Sequence, residues 1–168
     1  VRGEVVEVNR PGQEHGLVVM LVGYHLNAFV LPRRLGSVLG ADFGIVTERN
    51  PDTVRGPDVA FYPAGPDPRE FRARGYPSRP PLVVFEIRSP TDRTGELLAK
   101  VGELLTAGVE MVVCLDPARR IATVFSSEDD GRRFERGDVL PLPEPLSELR
   151  LTVNEWLEEP PVPTGDAG

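Results

Sequence analysis

Leu82-Val83-Val84-Phe85-Glu86-Ile87-Arg88 is the stretch on which the fold turns. Apart from Glu86 it is apolar on both alternating faces up to Ile87, the pattern of a strand covered on both sides. Ser89-Pro90-Thr91-Asp92 breaks it and offers helix caps. Residues 93–107 then carry Leu97, Leu98, Val101, Leu104 and Leu105 on one stripe, which predicts an amphipathic helix stopped by Gly108. Met-Val-Val-Cys-Leu at 111–115 reads as a second buried strand, ending at Asp116-Pro117. Strand, helix and strand of these lengths predict a right-handed βαβ crossover, with the two strands parallel.

Working outward, residues 121–125 pair as a hairpin partner of 111–115, and short strands follow Gly131 up to Leu151. A terminal helical turn is expected at 153–157. Upstream, alternation at 4–8 predicts a strand stopped by Asn9-Arg10-Pro11-Gly12. Residues 17–30 read as a helix with Leu17, Met20, Leu21, Tyr24 and Ala28 at helical spacing, ended by Pro32. Short strands are expected at 36–40 and 43–47, and another at 58–62 closed by Pro63. The Arg-, Pro- and Gly-rich stretch 66–81 reads as an exposed excursion with a short helix near 67–72. The element order predicts an α/β fold, a central mixed β-sheet flanked by helices. One domain over 1–158 is expected, with a disordered Pro/Gly-rich tail at 159–168.

With 40% hydrophobic residues in 168, the chain can build a core, which excludes wholesale disorder. Nineteen basic against 26 acidic residues give a net charge of −7, which argues against broad electrostatic adhesion to nucleic acid or membrane as the main activity. One cysteine, Cys114, excludes an internal disulfide and a Cys-rich zinc site; in a buried strand it reads as a small core residue. No apolar run was found to approach the roughly 20 residues of a bilayer span, and residues 1–4 show no apolar signal segment. A soluble, cytoplasmic protein is expected, and Val1 in place of Met points to a missing or processed N-terminal stretch. No P-loop or dinucleotide fingerprint is present, so neither ATP nor NAD is implied.

Glu86 is a charge in an apolar strand. A buried carboxylate is costly unless it meets a cation, a metal or hydrogen bonds, and Arg88, two residues on, is one available partner. Asp58 opens its strand directly after Gly56-Pro57. If the two strands pair, both carboxylates project into one site, where oxygen ligands suit Mg²⁺ or Mn²⁺. Lys100 is the one lysine among 18 arginines and lies on the helix after Glu86. It either reaches back to these carboxylates or forms a surface pair with Glu96 or Glu103. His15 reads as a capping or solvent-facing residue just before the first helix, and His25 as a packing residue.

Gly-Pro-Asp58-Val-Ala, Leu-Val-Val-Phe-Glu86-Ile-Arg-Ser-Pro, Glu96-Leu-Leu-Ala-Lys100, Ala-Gly108-Val and Cys-Leu-Asp116-Pro117 occur in this order. Together with Gly3-Glu4-Val5 and His15, they resemble the Uma-type restriction endonuclease family of bacteria, within the PD-(D/E)xK nuclease superfamily, over residues 3–157. The resemblance implies a restriction-endonuclease-like core and metal-dependent phosphodiester hydrolysis, making the chain a DNA endonuclease. Its catalytic residues would be Asp58, Glu86 and Lys100, with the metal, Mg²⁺ or Mn²⁺, held by Asp58, Glu86 and the Ile87 backbone carbonyl. The superfamily lysine usually lies two residues beyond the second acid, where this chain has Arg88; Lys100 matches a lysine moved to the following helix. Glu4 or Glu7 would be an extra ligand, Glu96 would hold the ammonium, and His15 would lie near the site.

DNA is the implied partner; Arg69, Arg72, Arg74 and Arg79 in the excursion either overhang the metal site and touch phosphates or form a merely solvated loop, and Arg132, Arg133 and Arg136 make a second basic cluster. The missing lysine at position 88 and the acidic charge favour a second reading, a non-catalytic nuclease-fold interaction module, homodimeric in form. A third, a hydrolase of small phosphoesters, uses the same residues.

Overall fold

The structure is a computed structural model that describes residues 12–40, 42–65, 71 and 76–159. Among the described residues, six strands form one sheet in the order β1-β4-β5-β6-β7-β8, where β1 is Gly36–Gly40, β4 Val59–Pro63, β5 Val83–Ile87, β6 Met111–Asp116, β7 Ile121–Ser126 and β8 Asp130–Phe134. Only β5 and β6 run parallel. Helix α2 (Thr94–Thr106) is their crossover, as the central stretch predicts. Gly108 stops it with φ +99°, its N–H and that of Val109 closing on the Leu105 and Leu104 carbonyls.

Alternation along β5 sets the two layers. Val83, Phe85 and Ile87 join the core beneath α1 (Gln13–Arg33) and α3 (Val153–Leu157), where Trp156 is fully buried. Val84 faces the other way, into a smaller core with Val101 and Leu104 of α2. Ile45 joins that second core from β2 (Ile45–Glu48), which forms a separate two-stranded sheet with β3 (Thr53–Arg55). The sequence reading omitted β3, which at three residues carries no measurable period.

Helix α1 departs from expectation in three ways. It begins four residues earlier than read, so His15 lies inside its first turn. It runs through Pro32 and ends at Arg34, which takes a left-handed conformation (φ 54°) while the Arg34 and Leu35 N–H groups cap the Leu31 and Val30 carbonyls. Its buried face is Val18, Val22, Leu26, Phe29 and Val30, whereas Leu17, Met20 and Tyr24 of the stripe picked out by spacing are exposed. A helix apolar all round gives periodicity no means of choosing its inner face. By length and composition α1 is also long and apolar enough to cross a membrane, contrary to the reading of the sequence; nothing from His15 to Pro32 is acidic, Lys or Arg. Its inner face packs on the sheet as that of a core helix.

The strand read at 4–8, with Glu4 and Glu7, lies outside the described residues, as do most of the excursion helix and the tail from 160.

Candidate active site

Continuing the antiparallel register from Val59↔Phe85 by one residue sets Asp58 opposite Glu86, and by two sets Pro57 opposite Ile87. Directly opposed residues share a face of the sheet. Pro57 has no N–H to offer the Ile87 carbonyl, and the Ile87 N–H instead donates to Asp58 Oδ2 at 2.7 Å. The Gly-Pro step therefore ends the ladder just where the carboxylates begin.

Lys100 reaches this corner from α2. Its Nζ donates to Glu86 Oε2 at 2.7 Å and to the Gly56 carbonyl at 2.8 Å. On the helix it stands beside Val101 and one turn before Leu104, the two buried residues, which aims its stem back at the sheet. The alternative, a surface pair with Glu96 or Glu103, is not what forms. Glu96 is exposed and meets Arg93 at 3.5 Å, so it does not hold the ammonium as the resemblance implied. Glu103 takes a two-pronged bond from Arg55, at 2.5 and 2.6 Å. That fork ties α2 to β3 immediately before Gly56, so the carbonyl and the ammonium are anchored by one pair of side chains. The sequence offered Glu103 only as a surface partner for Lys100 and gave no partner for Arg55, whose sole signal was abutting Gly-Pro-Asp.

His15 Nε2 lies 3.3 Å from Asp58 Oδ2, so His15 is drawn inward to the site instead of capping a helix or facing solvent. Arg88 does not pair with Glu86. Its guanidinium donates to Thr94 at 2.8 Å and approaches Asp116 at 3.6 Å. A cleft of about 130 Å³ opens beside it, lined by Glu14, Arg88, Ser89, Pro90, Asp116, Ala118 and Arg119. Of the expected phosphate contacts, Arg69, Arg72 and Arg74 are outside the described residues. Arg79 is folded inward, bonded to the Pro63 carbonyl and stacked near Tyr62. Arg132 covers Phe134, while Arg133 and Arg136 pair with Glu135 and Glu158. His25 packs edge-on to Trp156, and the Cys114 thiol is pushed up to about 12 by burial, leaving it inert.

Burial raises the Glu86 carboxyl to about 7; Lys100 opposes that shift and Asp58 adds to it. Glu86 Oε1 is buried with no hydrogen-bond partner among the described residues. Against an ordinary value of 4.5, a rise to about 7 means the folded chain keeps a proton that the unfolded chain has released. Stability from this group is therefore full below about pH 4.5 and falls as pH climbs to about 7. The loss is about 3 kcal/mol in the absence of metal. Melting curves from pH 4.5 to 7.5, compared between wild type and Glu86→Gln, should show the decline in the former only; parallel curves would contradict it.

Two electrostatically coupled carboxylates, one with an orphaned buried oxygen, plus a backbone carbonyl suit a hard divalent cation. Among the described residues no group of three or more His, Cys, Asp or Glu side chains is arranged to hold a metal. Mg²⁺ does not require one, since it commonly binds one or two carboxylates and completes its shell with water and substrate oxygens.

A mixed sheet with a helical crossover on one face, helices on the other and carboxylates at the end of its central strands is the restriction-endonuclease-like fold. A crystal structure described as "a putative nuclease belonging to DUF820", from Anabaena variabilis ATCC 29413, shares it: the TM-score is 0.79 over 94% of this chain and 87% of that one, at 20% identity. At that identity the likeness speaks for the fold. The chain belongs to the Uma2 family, described as "Putative restriction endonuclease", which matches residues 1–154. No curated protein matches it.

Proposed function

We propose that this protein is a metal-dependent phosphodiesterase that cleaves DNA, with Asp58, Glu86 and the Ile87 carbonyl holding Mg²⁺ or Mn²⁺ and Lys100 completing the site. The observation that carries this reading is the Lys100 ammonium, seated 2.7 Å from the buried Glu86 carboxylate, on which the charge of Asp58 also acts. Once bound, the cation would supply a Lewis acid, lowering the pKa of an attacking water and offsetting charge on the phosphoryl oxygens.

The residues divide the remaining work. The Ile87 N–H and His15 fix Asp58 through Oδ2, and Lys100 engages Glu86 through Oε2, so the oxygens outside these bonds are Asp58 Oδ1 and Glu86 Oε1. Lys100 Nζ orients the water or donates to the negative charge that grows on the phosphorus oxygens. Gly56 and the Arg55–Glu103 fork keep that ammonium in place. Arg88 and Arg119, on the neighbouring cleft, offer cations to a backbone phosphate beside the scissile one.

The direct experiment incubates supercoiled plasmid, single-stranded DNA and a nucleotide ester with Mg²⁺ or Mn²⁺, with and without chelator. Metal-dependent nicking of the plasmid is expected. Turnover of the ester alone would favour the small-phosphoester reading. No turnover, with no metal-induced stabilisation, would favour the non-catalytic module that the −7 charge and the Arg at position 88 make a serious competitor.

A further inference from the structure

The outer face of α1 is apolar, uncharged and arranged as a palindrome. Leu17, Met20, Tyr24 and Leu31 are 44%, 71%, 65% and 61% exposed, and Ala28 is exposed between them. They recur at intervals of three, four, four and three residues, so they trace one line down the helix, roughly 21 Å from Leu17 to Leu31. An exposed apolar stripe on this scale marks an interaction surface. At its two ends stand exposed residues of opposite sign, Glu14 in the first turn, where it also rims the Arg88 cleft, and Arg34, the left-handed residue just past the last turn.

We infer that this stripe is the contact between two copies of the chain, packed α1 against α1 in antiparallel fashion about a two-fold axis through Tyr24. A two-fold contact requires a patch complementary to itself. Antiparallel helices crossing at Tyr24 bring each residue opposite the one equally far on the other side of it. Leu17 then meets the second copy's Leu31, Met20 meets Ala28, and Tyr24 meets Tyr24. Large is set against small at the second of these, which lets the helices approach. Glu14 meets Arg34, so both ends close with attraction, whereas a parallel arrangement would set Glu14 against Glu14 and Arg34 against Arg34. Charge also decides the occupant. The chain carries −7, which disfavours an anionic bilayer, and the acid at one end and base at the other suit the opposite ends of an identical helix. The inference is independent of the catalytic reading.

Sedimentation equilibrium on the full chain, at loadings from roughly 5 to 200 µM, tests it. Wild type should approach twice the chain mass as concentration rises. Tyr24→Glu places two carboxylates face to face on the axis and should weaken association at least tenfold. Its melting temperature at low loading should stay near wild type, because Tyr24 is exposed in the single chain. Glu14→Arg alone should weaken the dimer, and Glu14→Arg with Arg34→Glu should restore it. A wild type that stays monomeric at every loading, or a dimer indifferent to Tyr24→Glu, overturns the proposal. Failure of the double exchange to restore association overturns it too, by removing the antiparallel register. Monomers that float with phosphatidylcholine vesicles would assign the stripe to a lipid surface instead.

Discussion

Lys100→Met is expected to lower DNA cleavage by about 10²–10³-fold, the usual cost of losing a donor aimed at charge that develops in the transition state. It also strips the buried Glu86 of its cation, so the protein should melt earlier. The two effects can be separated. Lys100→Met combined with Glu86→Gln removes the stranded acid, and should recover much of the melting temperature while activity stays absent. Lys100→Arg should not rescue: a planar guanidinium on a longer side chain cannot occupy the point where one ammonium meets both the Gly56 carbonyl and Glu86 Oε2. If Lys100→Met cleaves at the wild-type rate, Lys100 has no catalytic role, and attention shifts to Arg88.

The second large effect concerns the metal. With Mn²⁺ at about 100 times its dissociation constant, the wild type should gain about 2.7 kcal/mol, which for a chain of this size is a rise of roughly 5–10 °C in melting temperature. Asp58→Asn and Glu86→Gln should each erase that rise and abolish cleavage. The gain should also be pH-dependent: below about pH 7 the cation displaces the Glu86 proton, so apparent affinity should fall by about tenfold for each unit of acidification. A rise that survives both substitutions would place the cation elsewhere. A wild type with no rise at millimolar metal would leave the fold as an interaction module.

The sequence revealed most where one local pattern had one structural solution. The stretch from Leu82 to Leu115 is a buried strand, an amphipathic helix and a second buried strand, and it folds as β5, α2 and β6. Glu86 drew notice because a charge in such a strand requires a partner, and Asp58 because a Gly-Pro step opens its strand. The Arg55–Glu103 fork was invisible, since 48 residues separate its ends and helical spacing offered Glu103 only to Lys100. Arg79 misled for the opposite reason: its neighbours suggested a basic loop, but its guanidinium settles over aromatic rings. The residues alone read His15 as a cap or solvent-facing group because the start of α1 at Gln13 was not legible; only the resemblance put it near the site, where the first turn carries the imidazole to Asp58. Leu98 joined the stripe by spacing, yet is 47% exposed, because α2 buries only the narrower line through Val101 and Leu104.

That Lys100 is the only lysine in these 168 residues gives the site a chemical address. Amine-selective acylation of the folded protein can add only to the α-amino group or to this one side chain, so the difference in intact mass gain between wild type and Lys100→Arg reads the modification of a single ε-amine without digestion or mapping. The reagent must compete with two oxygens that hold the amine, and its rate therefore gauges how firmly the corner is closed.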